Sequence, residues 1–170
     1  MNQTTTTIET VPPPSTTIES DRATRARQLI QNYAYGAAGV GLVPNPFFGQ
    51  VTVGAMAAKL IYDLGQLYDI PTPKYRTKAA IAAVLGGAHT QWISFYALGA
   101  TTLIFPAAGF LGTLLYRPLI SGAIIYTLGN IFSKQFSRGV RIEQLNTEAL
   151  KAEFDRGFAE GKTWMAAQQP

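Results

Sequence analysis

The sequence contains no cysteine, so disulfides, thiolate metal sites and cysteine nucleophiles are all excluded. It has one histidine, His89, and a multi-histidine metal site within one chain is therefore ruled out. Charge is also scarce, at 14% of residues where about 25% is usual, and what there is lies unevenly. No Lys, Arg, Asp or Glu falls between Arg27 and Lys59, nor in the 38 residues from Ala79 to Tyr116, and a third uncharged stretch runs from Pro118 to Ser133. A helix of a soluble domain needs a wet face, whereas about 20 apolar residues suffice to span a hydrocarbon core. No strand alternation persists anywhere either. These absences predict an all-α chain embedded in a membrane or pressed onto one.

What is present fits that reading. The 170 residues include 16 glycines, with a net charge of +4 and a pI near 9.4. Basic residues stand beside the apolar blocks rather than on one patch. Anionic lipid headgroups are thus the expected partner, and nucleic acid is not. The mean hydropathy of +0.09 averages polar ends with an apolar middle.

Composition divides the chain in three. Residues 1–19 are Thr/Pro-rich without periodicity and read as a disordered tail; they have neither the basic nor the apolar region of a signal peptide. Residues 20–141 read as helical hairpins broken at prolines. Ser20 or Asp21 caps the first helix, Pro44-Asn45-Pro46 ends it, and a second runs from about Phe47 to Tyr68. Thr72 and Pro73 open a third, in which Ala79, Ala83 and Gly87 form a small-residue ridge suited to close helix packing. Pro106 marks a further bend, and a fourth segment follows Pro118 to about Phe136. Residues 142–170 form an amphipathic C-terminal helix and tail. In it Leu150, Phe154 and Phe158 recur every four residues as a narrow apolar stripe suited to docking a partner, or to folding back on the chain's own hairpins.

Both arms of the first hairpin fall short of a bilayer core, while the third helix is long enough to cross. The basic clusters Arg22–Arg27, Lys74–Lys78 and Lys134–Arg141 place both termini and the central loop on the cytoplasmic side, with the proline apices pointing away.

Few residues suggest chemistry. Gly157 to Thr163 (GFAEGKT) imitates a P-loop but has three residues between its glycines where four are required, and it follows a helical pattern rather than a strand. His89 reads first as a packing residue bonded to Thr90 or Gln91. The sharper alternative is a proton- or lipid-responsive group inside the membrane. Lys59 and Asp63, four apart, form a neutralising pair or one wall of a polar cavity. Arg117 snorkels, caps a helix end or marks a water-filled cavity. Tyr33, Tyr35, Trp92, Tyr96 and Tyr116 suit either an interfacial belt or the core. No pair of groups forms an acid–base or nucleophile constellation, so the chain is expected to be neither an enzyme nor a cofactor protein.

The run AAGVGLVPNPFFGQVTVGAMAAKLIYDLGQLYDIP resembles the domain of unknown function numbered 697, a helical domain found alone or attached to Era-like or dynamin-like GTPases. Val43-Pro44-Asn45-Pro46 stands at its IPxP-type break, and Lys59 to Leu64 matches its KMIYDL pattern. Gly86-Gly87 matches its paired glycines, Phe105 to Gly112 its later bend, and Tyr126 to Gly129 its TxALG stretch. Asp69 occupies the family's glycine position. The resemblance, over residues 28–138, implies a membrane-associated module that works in some cases with a GTPase, which here would be a separate chain. It carries no catalytic residue.

The leading expectation is a small non-enzymatic membrane protein with a scaffolding or regulatory role, binding other subunits or copies of itself. A soluble helical interaction or oligomerisation module is the alternative. A pore or channel subunit is another, lined by Lys59, Asp63, His89 and Arg117.

Overall fold

The computed structural model describes residues 14–42, 46–86 and 106–168. Among these residues the chain is all-helical: α1 Pro14–Gly41, α2 Pro46–Leu67, α3 Lys74–Gly86, α4 Pro106–Ser137, a 3-10 turn Ile142–Gln144, and α5 Thr147–Ala166. Pro14, Pro46 and Pro106 each open a helix, where a missing N–H is harmless and the fixed φ is already helical.

Three boundaries differ from the sequence reading. α1 begins at Pro14 rather than at Ser20 or Asp21. α4 is continuous from Pro106 through Pro118, so Pro118 does not start a separate segment. Helix packing supports the interior proline, since the Pro118 backbone lies directly against Gly41 of α1. The C-terminal segment is interrupted after the 3-10 turn, and α5 starts behind Asn146, whose side chain accepts a hydrogen bond from the Ala149 amide at 3.1 Å.

Two helix ends turn through left-handed residues. At the end of α2, Asp69 has φ 58°, and the Ile70 amide reaches back to the Gly65 carbonyl at 2.8 Å, the bond pattern of a Schellman cap. Aspartate tolerates this conformation better than most residues, and Arg22 holds its carboxylate at 2.8 Å. Gly139 (φ 73°) ends α4 in the same manner, with Val140 N–H bonded to the Gln135 carbonyl at 3.1 Å.

α1 lies antiparallel along α4, and this is the most extensive helix pair. Ala26, Ile30, Ala34 and Ala37 form its buried seam, a spacing that keeps small side chains on one face. At Gly129 an added Cβ would meet the Ile30 side chain at 2.7 Å, so this glycine leaves the space that the Ile30 side chain fills. α2 packs on both α1 and α4 through Val53, Ala57, Leu60, Ile61 and Leu64. α5 runs antiparallel to α4 and closes the bundle with Leu150, Phe154, Phe158, Gly161 and Met165, all buried.

α3 packs through Thr77, Ile81 and Val84, while Ala79 and Ala83 are exposed. The ridge that seemed suited to close packing therefore faces outward among the described residues, because the larger side chains bury more apolar area. Gly87 lies outside the described residues.

No described helix is long and apolar enough to cross a membrane. Among the described residues, then, the expected transmembrane helix is not found. As described, α3 ends at Gly86, and the rest of the uncharged stretch up to Phe105 lies outside the described residues. In α4 the apolar run is broken by Arg117, Pro118 and Asn130.

Candidate functional site

The clearest polar cluster lies where α1 meets α2. Lys59 and Asp63 are one helical turn apart on α2, and their side chains meet at 2.8 Å. Tyr33 of α1 donates its hydroxyl proton to the same Asp63 oxygen at 2.6 Å, and the Lys59 ammonium sits 5.8 Å from the Tyr33 ring. The pairing was legible from the i,i+4 spacing. The third member was not, since Tyr33 is 30 residues away and only the hairpin brings it near.

The electrostatics follow from this contact. Partial burial raises the Tyr33 pKa, with the hydrogen bond to the Asp63 carboxylate adding to the effect. The hydrogen bond to Asp63 likewise pushes the Lys59 pKa up. Both groups keep their protons at neutral pH, so the cluster is a held ion pair rather than a proton-transfer site.

The other expected site residues do not join it. Arg117 stands on α4 beside the C-terminal end of α1, with its own carbonyl carbon at the position a Gly41 side chain would need. That is two turns beyond Tyr33 along α1. His89 lies outside the described residues, as do Trp92 and Tyr96. The described residues thus do not assemble a cavity from Lys59, Asp63 and Arg117.

The stripe Leu150, Phe154 and Phe158 is buried against the chain's own helices, with the Phe154 and Phe158 rings stacked at 5.5 Å. In this state it folds back and offers no docking surface. The imitation of a P-loop, Gly157 to Thr163, is the middle of α5. Its amides are already engaged in the helix and cannot cradle phosphate.

An open groove of about 990 Å³ separates α4 from α5. At one end Tyr126 and Trp164 stack at 4.3 Å. At the other Lys134 meets Glu153 at 2.6 Å. Sequence reading missed this feature, because its two walls lie nineteen or more residues apart. Among the described residues no three His, Asp or Glu side chains gather as metal ligands do.

Charge is divided along the bundle axis. α1 begins, and α2 and α4 end, at the same end of the bundle, and there Arg22 pairs with Asp69, Arg76 with Glu143 at 3.8 Å, and Lys134 with Glu153. At the opposite end, Leu42 is 54% and Val51 74% exposed. Ile18 and Tyr75 are also exposed, but they sit singly among the charges of the first end.

Fold and surface together define an all-α bundle with one charged end and one apolar end. No family model matches the chain, and no solved structure matches it. Over 141 residues it is 28% identical to magnetosome membrane protein 22 of Magnetospirillum gryphiswaldense, a match covering 83% of this chain and 72% of that protein.

Proposed function

We propose that this chain is a non-enzymatic, membrane-associated helical protein with a scaffolding or regulatory role. The observation that carries the reading is the exposed apolar end of the α1–α2 hairpin. Leu42 and Val51 stand there within the uncharged stretch from Arg27 to Lys59. Leaving large apolar side chains in water forgoes burial energy, and an exposed apolar patch commonly marks a contact surface. The likeness to a magnetosome membrane protein supports a membrane as that contact. The net charge of +4 favours anionic headgroups within it.

The charged end supplies the surface for protein partners, either further subunits or a second copy. The resemblance of residues 28–138 to a domain associated with GTPases makes a separate GTPase one such partner. Flotation on vesicles of phosphatidylcholine with phosphatidylglycerol tests the membrane reading directly. The protein is expected to rise with the lipid, and its remaining at the bottom of the gradient would overturn the proposal.

A further inference from the structure

Five aromatic side chains from four helices stand at one level of the bundle. Trp164 of α5 stacks on Tyr126 of α4 and meets Tyr35 of α1 at 5.6 Å. Tyr33 bonds Asp63, and Tyr62 is the neighbouring residue on α2, 41% exposed. The contacts place all five within about a turn of one another along the axis. On one side of this level lie the ion pairs of the charged end. On the other, among the described residues, Arg117 is the one charged side chain.

A ring of Tyr and Trp between a charged and an apolar region suits the boundary between water and lipid, where an apolar body and a polar tip are both satisfied. The depth beyond the ring differs between helices. From Tyr33 to Gly41 on α1, and from Lys59 back to Val51 on α2, eight residues rise about 12 Å, less than half of a hydrocarbon core of about 30 Å. α4 reaches further, about 30 Å from Tyr126 back to Pro106, and carries Arg117 along that length.

We infer that the bundle meets the bilayer end-on, the α1–α2 hairpin entering one leaflet with Tyr33, Tyr35, Tyr62, Tyr126 and Trp164 at headgroup level. This rests on the membrane reading above and specifies it. Lys59 enters the headgroup layer already paired with Asp63 and Tyr33, which limits the cost of desolvating it. Lys162, two residues before Trp164 on α5 and half-buried with its ammonium 5.3 Å from the Phe158 ring centre, meets the same layer. The basic residues of the charged end, from Arg22 to Arg27 and from Arg138 to Arg141, remain in water. Binding by this route is driven mainly by apolar burial and so persists on neutral lipid and at high salt. Headgroup capture by the basic end would require anionic lipid instead.

The absence of cysteine allows single labels without background. The full chain carrying Val51→Cys or Arg138→Cys, each bearing an environment-sensitive fluorophore, is added to phosphatidylcholine vesicles. The Val51 label is expected to shift to the blue, to be quenched by nitroxide lipids, and to lose aqueous iodide quenching several-fold. The Arg138 label should keep its iodide quenching unchanged. A paired Leu42→Asp, Val51→Asp variant, altering only exposed positions, should weaken vesicle binding tenfold or more with an unchanged circular dichroism spectrum. Three results would overturn end-on insertion while leaving membrane association standing: an Arg138 label shielded more than the Val51 label, equal shielding of both, or binding confined to anionic vesicles. Failure to bind any vesicle would overturn both readings.

Discussion

The two ends of the bundle are held together by different forces. At the charged end three ion pairs tie neighbouring elements, and most of the participating side chains are well exposed. Toward the apolar end helices meet backbone to backbone, as where Gly41 leaves no room for a methyl group beside Pro118. Exposed ion pairs contribute little, typically about 0–1 kcal/mol, whereas close packing is unforgiving of added volume. The charged end is therefore specified by charge but stabilised by the apolar seam beneath it. The apolar end tolerates almost no change where helices touch, and ample change where they face outward.

The sharpest test sets Phe154 against its neighbour Glu153. Phe154→Ala empties a buried site and should cost about 3–5 kcal/mol in a denaturant titration. A small loss would mean that α5 is held by its ion pair after all.

Gly41→Ala and Gly39→Ala come next, two residues apart with opposite signs. A Cβ at Gly41 would lie 2.8 Å from the Pro118 backbone, and overpacking of this kind costs about 1–3 kcal/mol. At Gly39 nothing lies within 4 Å, so alanine should stabilise the helix by about 0.5–1 kcal/mol. Thermal melts giving the same sign for both would break the distinction between touching and outward faces.

Lys134→Ala, which removes the pair with Glu153, should cost no more than about 1 kcal/mol. The loss should shrink in 1 M salt. A larger, salt-insensitive loss would make that pair a true element of the core.

The smallest effect concerns Tyr33. Its pKa is raised above the ordinary value of 10.0, so its contribution is fully present below about pH 10 and is lost as pH climbs through the folded-state value. Tyr33→Phe should lower stability at neutral pH, with the gap from the native chain narrowing above pH 10. A gap that stays constant with pH would show that the phenol hydrogen bond does not sense ionisation.

Much of this was readable in the residues themselves. Helical periodicity without strand alternation dictated an all-α chain, because side-chain spacing depends only on local geometry. The pairing of Lys59 with Asp63 was equally local, one turn of one helix.

Tertiary structure decided the rest. Whether Leu150, Phe154 and Phe158 meet a partner or their own bundle depends on what stands opposite, and a stripe looks the same in either case. α4 continues through Pro118 because contact with α1 supports a proline that local rules treat as a break. Tyr33 joins Asp63, and Trp164 joins Tyr126 and Tyr35, only once antiparallel packing has set the register. The sequence by itself determined which segments are charged and which are apolar. Helix packing alone gathered them at opposite ends of one bundle, because position along a common axis is a property of neighbours and not of any single helix.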